Sequence, residues 1–282
     1  MLHTEFQRQG YDLDDVVGLA DQEAIDYMLR VSGFVWEKYR LIDSVVQHEW
    51  NHFSAVVLKT GVSGMLECID RLTELSRLMY LGIPVSILDS ALPKVSKLSS
   101  LRYLDISGEG NGRIQNLLLD QIQSLEAVDA KLKVDAACLP NLRHLHICDK
   151  PKGSLAKLVR SMHSLHSLTF CPYDDELAQQ MEVKHLRYAR LIGGSCDSIS
   201  AISKFSQITN MHIQNLGRLT SIKPLLSLPN LNELSVCYCN RISDIELLAE
   251  MPSLKKLKIY ACKFDRKRLT ELLGDRLTEL SV

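Results

Sequence analysis

At 282 residues, 46% of them hydrophobic, the chain has the apolar material for a sizeable core. Its 33 lysines and arginines against 34 aspartates and glutamates leave a formal net charge of −1, which excludes a general pull toward nucleic acid or an anionic membrane surface. No apolar stretch approaches the length of a membrane span, and Glu5, Gln7, Arg8 and Gln9 stand where a signal peptide would carry its apolar core, so a cytoplasmic protein is expected.

Residues 1–52 lack the pattern that dominates the rest and are expected to form a helical N-terminal cap. Asp21 is placed to cap a helix whose Ala24, Ile25, Met28 and Leu29 share one face and whose end is marked by Gly33. The segment is acidic, with Glu5, Asp12, Asp14, Asp15, Asp21, Glu23 and Asp26 against Arg8 and Arg30. Within it, His48-Glu49-Trp50-Asn51-His52 satisfies HExxH. On a helix these histidines stand one turn apart and can share a zinc ion while the glutamate activates water, with Glu74 a candidate third ligand. A metallopeptidase needs a domain that surrounds a cleft, whereas fewer than fifty residues precede the string and repeats begin soon after it. The string therefore reads as ordinary residues of the cap, and a zinc metallopeptidase is kept as an alternative. Phe53-Ser54-Ala55-Val56-Val57-Leu58 is a candidate early, irregular copy of the phrase that follows.

Residues 53–282 are expected to form one solenoid. An apolar residue, two variable ones, a second apolar residue, one variable and a third recur ten times. Clear copies run from Leu101 to Ile106, Leu142 to Ile147, Leu165 to Phe170, Leu231 to Val236 and Leu254 to Ile259; weaker ones begin at Leu78, Leu125, Leu186, Ile208 and Leu277. Successive first residues are 23, 24, 17, 23, 21, 22, 23, 23 and 23 apart, a period that marks stacked supersecondary units. The last two apolar residues of each phrase point to one face of a strand, and stacking copies buries that face in a continuous ladder. The interval of 17 after Leu125 predicts a tight loop in place of a helix. Gly108-Glu109-Gly110-Asn111-Gly112 lacks a phosphate-binding pattern and reads as a loop, and Asp265 is placed to cap a short helix through Leu272 that stops at Gly274.

Leu139-Pro140-Asn141-Leu142, Leu228-Pro229-Asn230-Leu231 and Met251-Pro252-Ser253-Leu254 lead into strand phrases, and Cys239 and Cys262 stand eight residues after Leu231 and Leu254. On these residues the chain, roughly from 75 to 282, resembles the leucine-rich repeat proteins. The resemblance implies an α/β horseshoe solenoid, with parallel strands on a concave face and a return by helix or loop on the convex one. Stand-alone members of this size resemble adaptors, inhibitors and the immunity proteins that neutralise bacterial toxins.

In this frame the second, fourth and sixth residues after each first apolar residue point outward. The candidate partner-binding residues are Tyr103, Asp105, Asp129, His144, His146, Thr169, Tyr188, Arg190, Asn210, His212, Glu233, Lys256, Lys258 and Tyr260. Tyrosine, arginine and histidine with few aliphatics suit a protein partner. Fourth positions run from acidic Asp105 and Asp129 to basic Lys258, and residues 254–268 are strongly basic, which reads as a solvated helix and turn; steering of an acidic partner is the alternative, and a nucleic acid is disfavoured because interleaved aromatics are scarce. His144, His146 and Cys148, with Cys171 alongside, are zinc-ligand types, but same-face residues about 7 Å apart on a strand converge poorly on one ion. Cysteines in or beside the repeat phrases read as reduced thiols. The expected function is non-catalytic recognition of a protein on the concave face, without metal or cofactor. An immunity protein is the specific expectation and an adaptor or substrate-recognition subunit the alternative.

Overall fold

In each phrase the leading apolar residue sits two residues before a strand, and the strand then alternates outward and inward. The computed structural model describes residues 40–42, 55–58, 73, 78–148 and 154–281. The helix expected around Asp21, the His48–His52 string and Glu74 lie outside the described residues. The chain divides into two units between Leu142 and Arg143.

In the first unit β1 (Arg40–Ile42), β2 (Ala55–Leu58), β3 (Tyr80–Pro84), β4 (Tyr103–Ile114) and β5 (Ser124–Val134) each pair in parallel with the next. β2 falls in the phrase at 53–58. After β3 the chain returns through α1 (Leu88–Val95), which buries Leu88, Ala91, Leu92 and Val95 at helical spacing.

Two expectations fail here for one reason. Leu104 pairs with Leu125 and Ile106 with Ala127, so the leading residue of the β5 repeat is the fully buried Ile122, not Leu125. The intervals become 21 and 20 (101 to 122 to 142), and the tight loop disappears: Ala136–Cys138 forms a 3-10 turn capped by the Asp135 carboxylate. Ala127 is a weak apolar signal, and Leu125, Val128 and Ala130 imitate the phrase three residues late. The glycine-rich stretch is also no loop. Beyond a register shift between Ser107 and Gly110, residues 110–114 pair with 130–134. A Cβ on Gly112 would lie 2.7 Å from Leu88 Cδ2 and 2.9 Å from Val85 Cγ2, so any side chain here would have to displace both, and glycine lets this part of the strand close onto them.

The second unit contains β6 (His144–Cys148), β7 (Ser167–Cys171), β8 (Tyr188–Ile192), β9 (Asn210–Gln214), β10 (Glu233–Cys237), β11 (Lys256–Tyr260) and β12 (Glu279–Ser281), again parallel and in sequence order. One inward row pairs Leu145, Leu168, Ala189, Met211, Leu234 and Leu257; the next pairs Ile147, Phe170, Leu191, Ile213, Val236 and Ile259. All twelve are buried. This is the leucine-rich repeat architecture expected from the sequence.

Seven residues after the leading apolar residue the chain turns with a positive φ, at Gly193, Asn215, Tyr238 and Ala261 in this unit and at Gly108 and Asp129 in the first. The geometry lets the corner amide reach sideways. The N–H groups of Gly193, Asn215 and Tyr238 donate to Gln214, Cys237 and Tyr260 O at 2.8, 3.0 and 3.0 Å. Returns run through α2 (Ser154–Arg160), α3 (Asp175–Gln179), 3-10 turns and α4 (Arg266–Leu273), whose cap Asp265 accepts from Arg268 N at 3.0 Å. Asp175 ties two returns together, accepting from the Tyr173 hydroxyl at 2.5 Å, Ser200 Oγ at 2.7 Å, Ala201 N at 2.9 Å and Ser198 Oγ at 3.2 Å. Burial works against its ionisation, yet these donors together hold the carboxyl below its usual range. Among the described residues no helix is long and apolar enough to cross a membrane.

The ladder sets the first prediction. Leu168→Asp buries an unpaired charge and should cost about 3–5 kcal/mol in a urea melt. Thr169, the neighbouring outward residue, is itself only 3% exposed and is no contrast to it. The contrast is Ser235→Asp, half-buried on the outward face, which should shift stability by less than about 1 kcal/mol. Equal losses at both positions would refute the inward and outward assignment.

Candidate functional site

Strand register stacks the outward side chains into three columns. In the first unit the leading column holds Tyr80, Tyr103 and Ser124, and the middle one Asp105 beside Glu126. Asp129, expected beside Asp105, is instead an exposed corner residue with φ of 60°, a consequence of the frame set by Ile122. Tyr103 is 3% exposed and is not an open contact residue. Large rings on strands about 4.8 Å apart must cover one another. The Tyr80 and Tyr103 centroids are 4.7 Å apart, Tyr80 donates to Asp105 Oδ2 at 2.8 Å, and Tyr103 donates to Glu126.

The second unit begins equally closed. His144 is 1% exposed, and Ser167 and Thr169 are buried, so His144 and Thr169 leave the set of accessible candidates. Thr169 is a short side chain, paired with the longer His146 and Arg190 on either side. Burial, with His166 and Arg143 nearby, pushes His144 down to about 3, so its ring is neutral. His146 Nε2 and Cys148 Sγ are 3.3 Å apart, and Cys148 pairs with Cys171. Among the described residues, no three His, Cys, Asp or Glu side chains come together to hold a metal ion.

From β8 onward the face opens. Tyr188, Arg190, Asn210, His212, Glu233 and Lys256 are half-buried, while Lys258 and Tyr260 are exposed. In the leading column Thr209 Oγ1 donates to Asn210 Oδ1 at 2.8 Å, Asn210 Nδ2 donates to Glu233 Oε2 at 2.7 Å, and Lys256 Nζ meets Glu233 Oε1 at 2.7 Å. Lys258 pairs with Glu279 at 3.1 Å. Both ion pairs are substantially exposed, so they contribute little to folding and stay available for exchange with a ligand's charges. Arg190 and His212 are paired in the middle column, and His212 Nε2 lies 3.0 Å from Gln214 Oε1. Burial and the Arg190 charge lower His212 to about 4, only partly opposed by the Gln214 contact. At neutral pH the face therefore presents a guanidinium beside a neutral imidazole.

Cys239 and Cys262, read from the sequence as a repeat signature, serve the backbone. Cys239 N donates to Cys262 Sγ at 3.3 Å, and Cys239 Sγ donates to Cys237 O at 3.3 Å. Burial raises both thiols, Cys239 to about 11, which suits a structural role over a reactive one. The seven described cysteines are all free. Two residues escaped the sequence reading. Glu126 was hidden by the frame error, and Tyr238 is exposed at a corner where the preceding repeats carry Gly193 and Asn215; that break in the glycine and asparagine series is legible in the sequence.

No family model and no curated protein matches the chain. Among solved structures, a chain of the TLR13–ssRNA13 complex matches with a TM-score of 0.53 at 16% identity, over 82% of this chain. This chain spans 36% of the length of that one. A chain of the Rad7 and Elc1 complex of yeast gives 0.48 at 14% identity, over 82% of this chain and 75% of its own. Internalin C2 of Listeria monocytogenes gives 0.41 at 23% identity, over 60% and 74%. At these identities the likeness is one of fold.

The two neutral histidines predict a pH dependence with a definite sign. Their folded values, about 3 and about 4, lie below the ordinary 6.5, so the unfolded chain takes up protons first as pH falls. Stability should be complete above about pH 6.5 and decline by a few kcal/mol between there and about pH 3. His144→Leu should flatten that decline in urea melts at several pH values; an unchanged slope would contradict the buried neutral ring.

Proposed function

We propose that this chain, a leucine-rich repeat protein, is a non-catalytic recognition module that holds another protein against the outward face of β8 to β11. One observation carries this reading. Tyr188, Arg190, Asn210, His212, Glu233, Lys256, Lys258 and Tyr260 are accessible members of the outward columns, and they combine aromatic area, charge and directional bonding on a rigid sheet. Asp105 and His146, half-buried on the same faces of their own strands, are secondary candidates. The free cysteines are in keeping with a cytoplasmic location. Within this proposal the chain acts either as an immunity or inhibitor protein that occludes a toxin, or as an adaptor that recruits a substrate. The identity of the retained protein separates the two.

The test is affinity capture followed by mutation. Once the retained protein is identified, Arg190→Ala combined with His212→Ala should weaken it at least about tenfold, roughly 1.4 kcal/mol or more, with the folded state intact by circular dichroism. Gln179→Ala, on the return side in α3, should leave affinity unchanged. Loss at Gln179 with retention in the double variant would move the interface to the return side.

A further inference from the structure

The corners that follow β10 and β11 carry a feature the outward columns do not explain. Tyr238 adopts a φ of 56° at the position where other repeats place Gly108, Asp129, Gly193, Asn215 and the small Ala261. Glycine, asparagine and aspartate tolerate the left-handed region, whereas a bulky side chain is strained there. Nor is the ring hidden in the core in exchange. It is 43% exposed and meets the 62% exposed Tyr260 edge-on, with centroids 5.4 Å apart and planes at 82°. Backbone strain kept at an exposed aromatic residue points to a contact made with something else.

The surrounding corner loops are cationic. Arg218 and Arg241 stand ten residues after Ile208 and Leu231, at equivalent places in consecutive repeats, and Lys263 stands nine after Leu254. All three are exposed, and no ion pair among the described residues engages them. Three cations on the neighbouring strands and return helix are matched: Lys256 with Glu233, Lys258 with Glu279 and Arg268 with Glu246. The nearby carboxylates are occupied by backbone and hydroxyl donors. Asp244 accepts from Ser221 Oγ at 2.5 Å and Ile222 N at 2.9 Å, and Asp265 caps α4.

We infer that this corner, Tyr238 and Tyr260 flanked by Arg218, Arg241 and Lys263, anchors an acidic segment of a protein partner. The inference rests on the proposal that the chain binds a protein, and it adds the partner's charge and a second point of contact. Guanidinium groups pair with carboxylates through parallel hydrogen bonds, and the tyrosines supply apolar area beside them. A polynucleotide fits less well. Affinity for phosphate backbones grows with the number of charges neutralised, and an edge-to-face pair leaves no parallel slot for a base.

The full chain would be titrated with labelled peptides of about a dozen residues that are acidic, neutral or basic, each with one leucine, and with single-stranded oligouridine, at about 50 and about 300 mM salt. The acidic peptide should bind at least roughly tenfold tighter than the others and weaken with salt. Tyr238→Asn and Arg241→Glu should each reduce that affinity at least about fivefold. Tyr238→Asn should also raise Tm, because asparagine accepts the left-handed corner. Ala261→Gly, which relaxes the next corner and removes no ring, should raise Tm and leave binding unchanged. Equal binding of all peptides, binding of none, tighter binding of oligouridine, or a Tm lowered by Tyr238→Asn would each overturn the inference. If a captured partner is lost by the Arg190 and His212 double variant but kept by Tyr238→Asn, the outward face survives and the corner fails. The reverse result rejects the outward face alone.

Discussion

Stacking of two inward side chains per strand is the interaction on which everything else depends. In the second unit Leu168 and Phe170 meet Leu145 and Ile147 on one side and Ala189 and Leu191 on the other, and the same contact repeats through β11. Each fully buried aliphatic side chain contributes about 1.5–3 kcal/mol relative to exposure. A lone repeat would leave both of its faces wet, so a strand gains this energy only from its neighbours. That dependence fixes the parallel order, and the parallel order in turn aligns the outward side chains into columns.

The backbone must then be steered around each turn without leaving amides unpaired in the interior. A left-handed residue after the strand does this by aiming its N–H at the carbonyl of the next strand, as at Gly193, Asn215 and Tyr238. On the return side, carboxylates take the same part: Asp175 gathers two serines, a tyrosine and an amide, and Asp244 gathers Ser221 and the Ile222 amide. Cys239 and Cys262 do so with sulfur. Polar groups that might suggest chemistry in isolation are thereby committed to holding one turn of chain against the next.

The outward face follows a different rule. Nothing in the ladder demands that outward residues be open to water, and in several strands they are not. Tyr80 and Tyr103 cover each other and satisfy their hydroxyls on Asp105 and Glu126, and His144 is closed over and kept neutral. From Tyr188 to Tyr260 the side chains remain accessible and their charges stand in shallow cross-strand pairs. The proposed recognition surface is thus the part of the sheet where cross-strand neighbours do not consume one another.

The amino-acid sequence by itself determined the strands of the second unit, the two inward rows and the cap and stop of α4, because inward periodicity and capping are local and each repeat restates them. It misplaced β5 by three residues where Ala127 stands in for a larger apolar residue, and with it Asp129, the tight loop and the neighbour of Asp105. Only the tertiary structure decided which outward residues are accessible, since exposure of Tyr103, His144 or Thr169 depends on side chains that arrive some 20 or more residues away in sequence but about 4.8 Å away in space. It alone also revealed the strained, exposed Tyr238: a sequence names the residue at a corner, while the sign of φ is imposed by the hydrogen bond that the corner amide must make to the next strand.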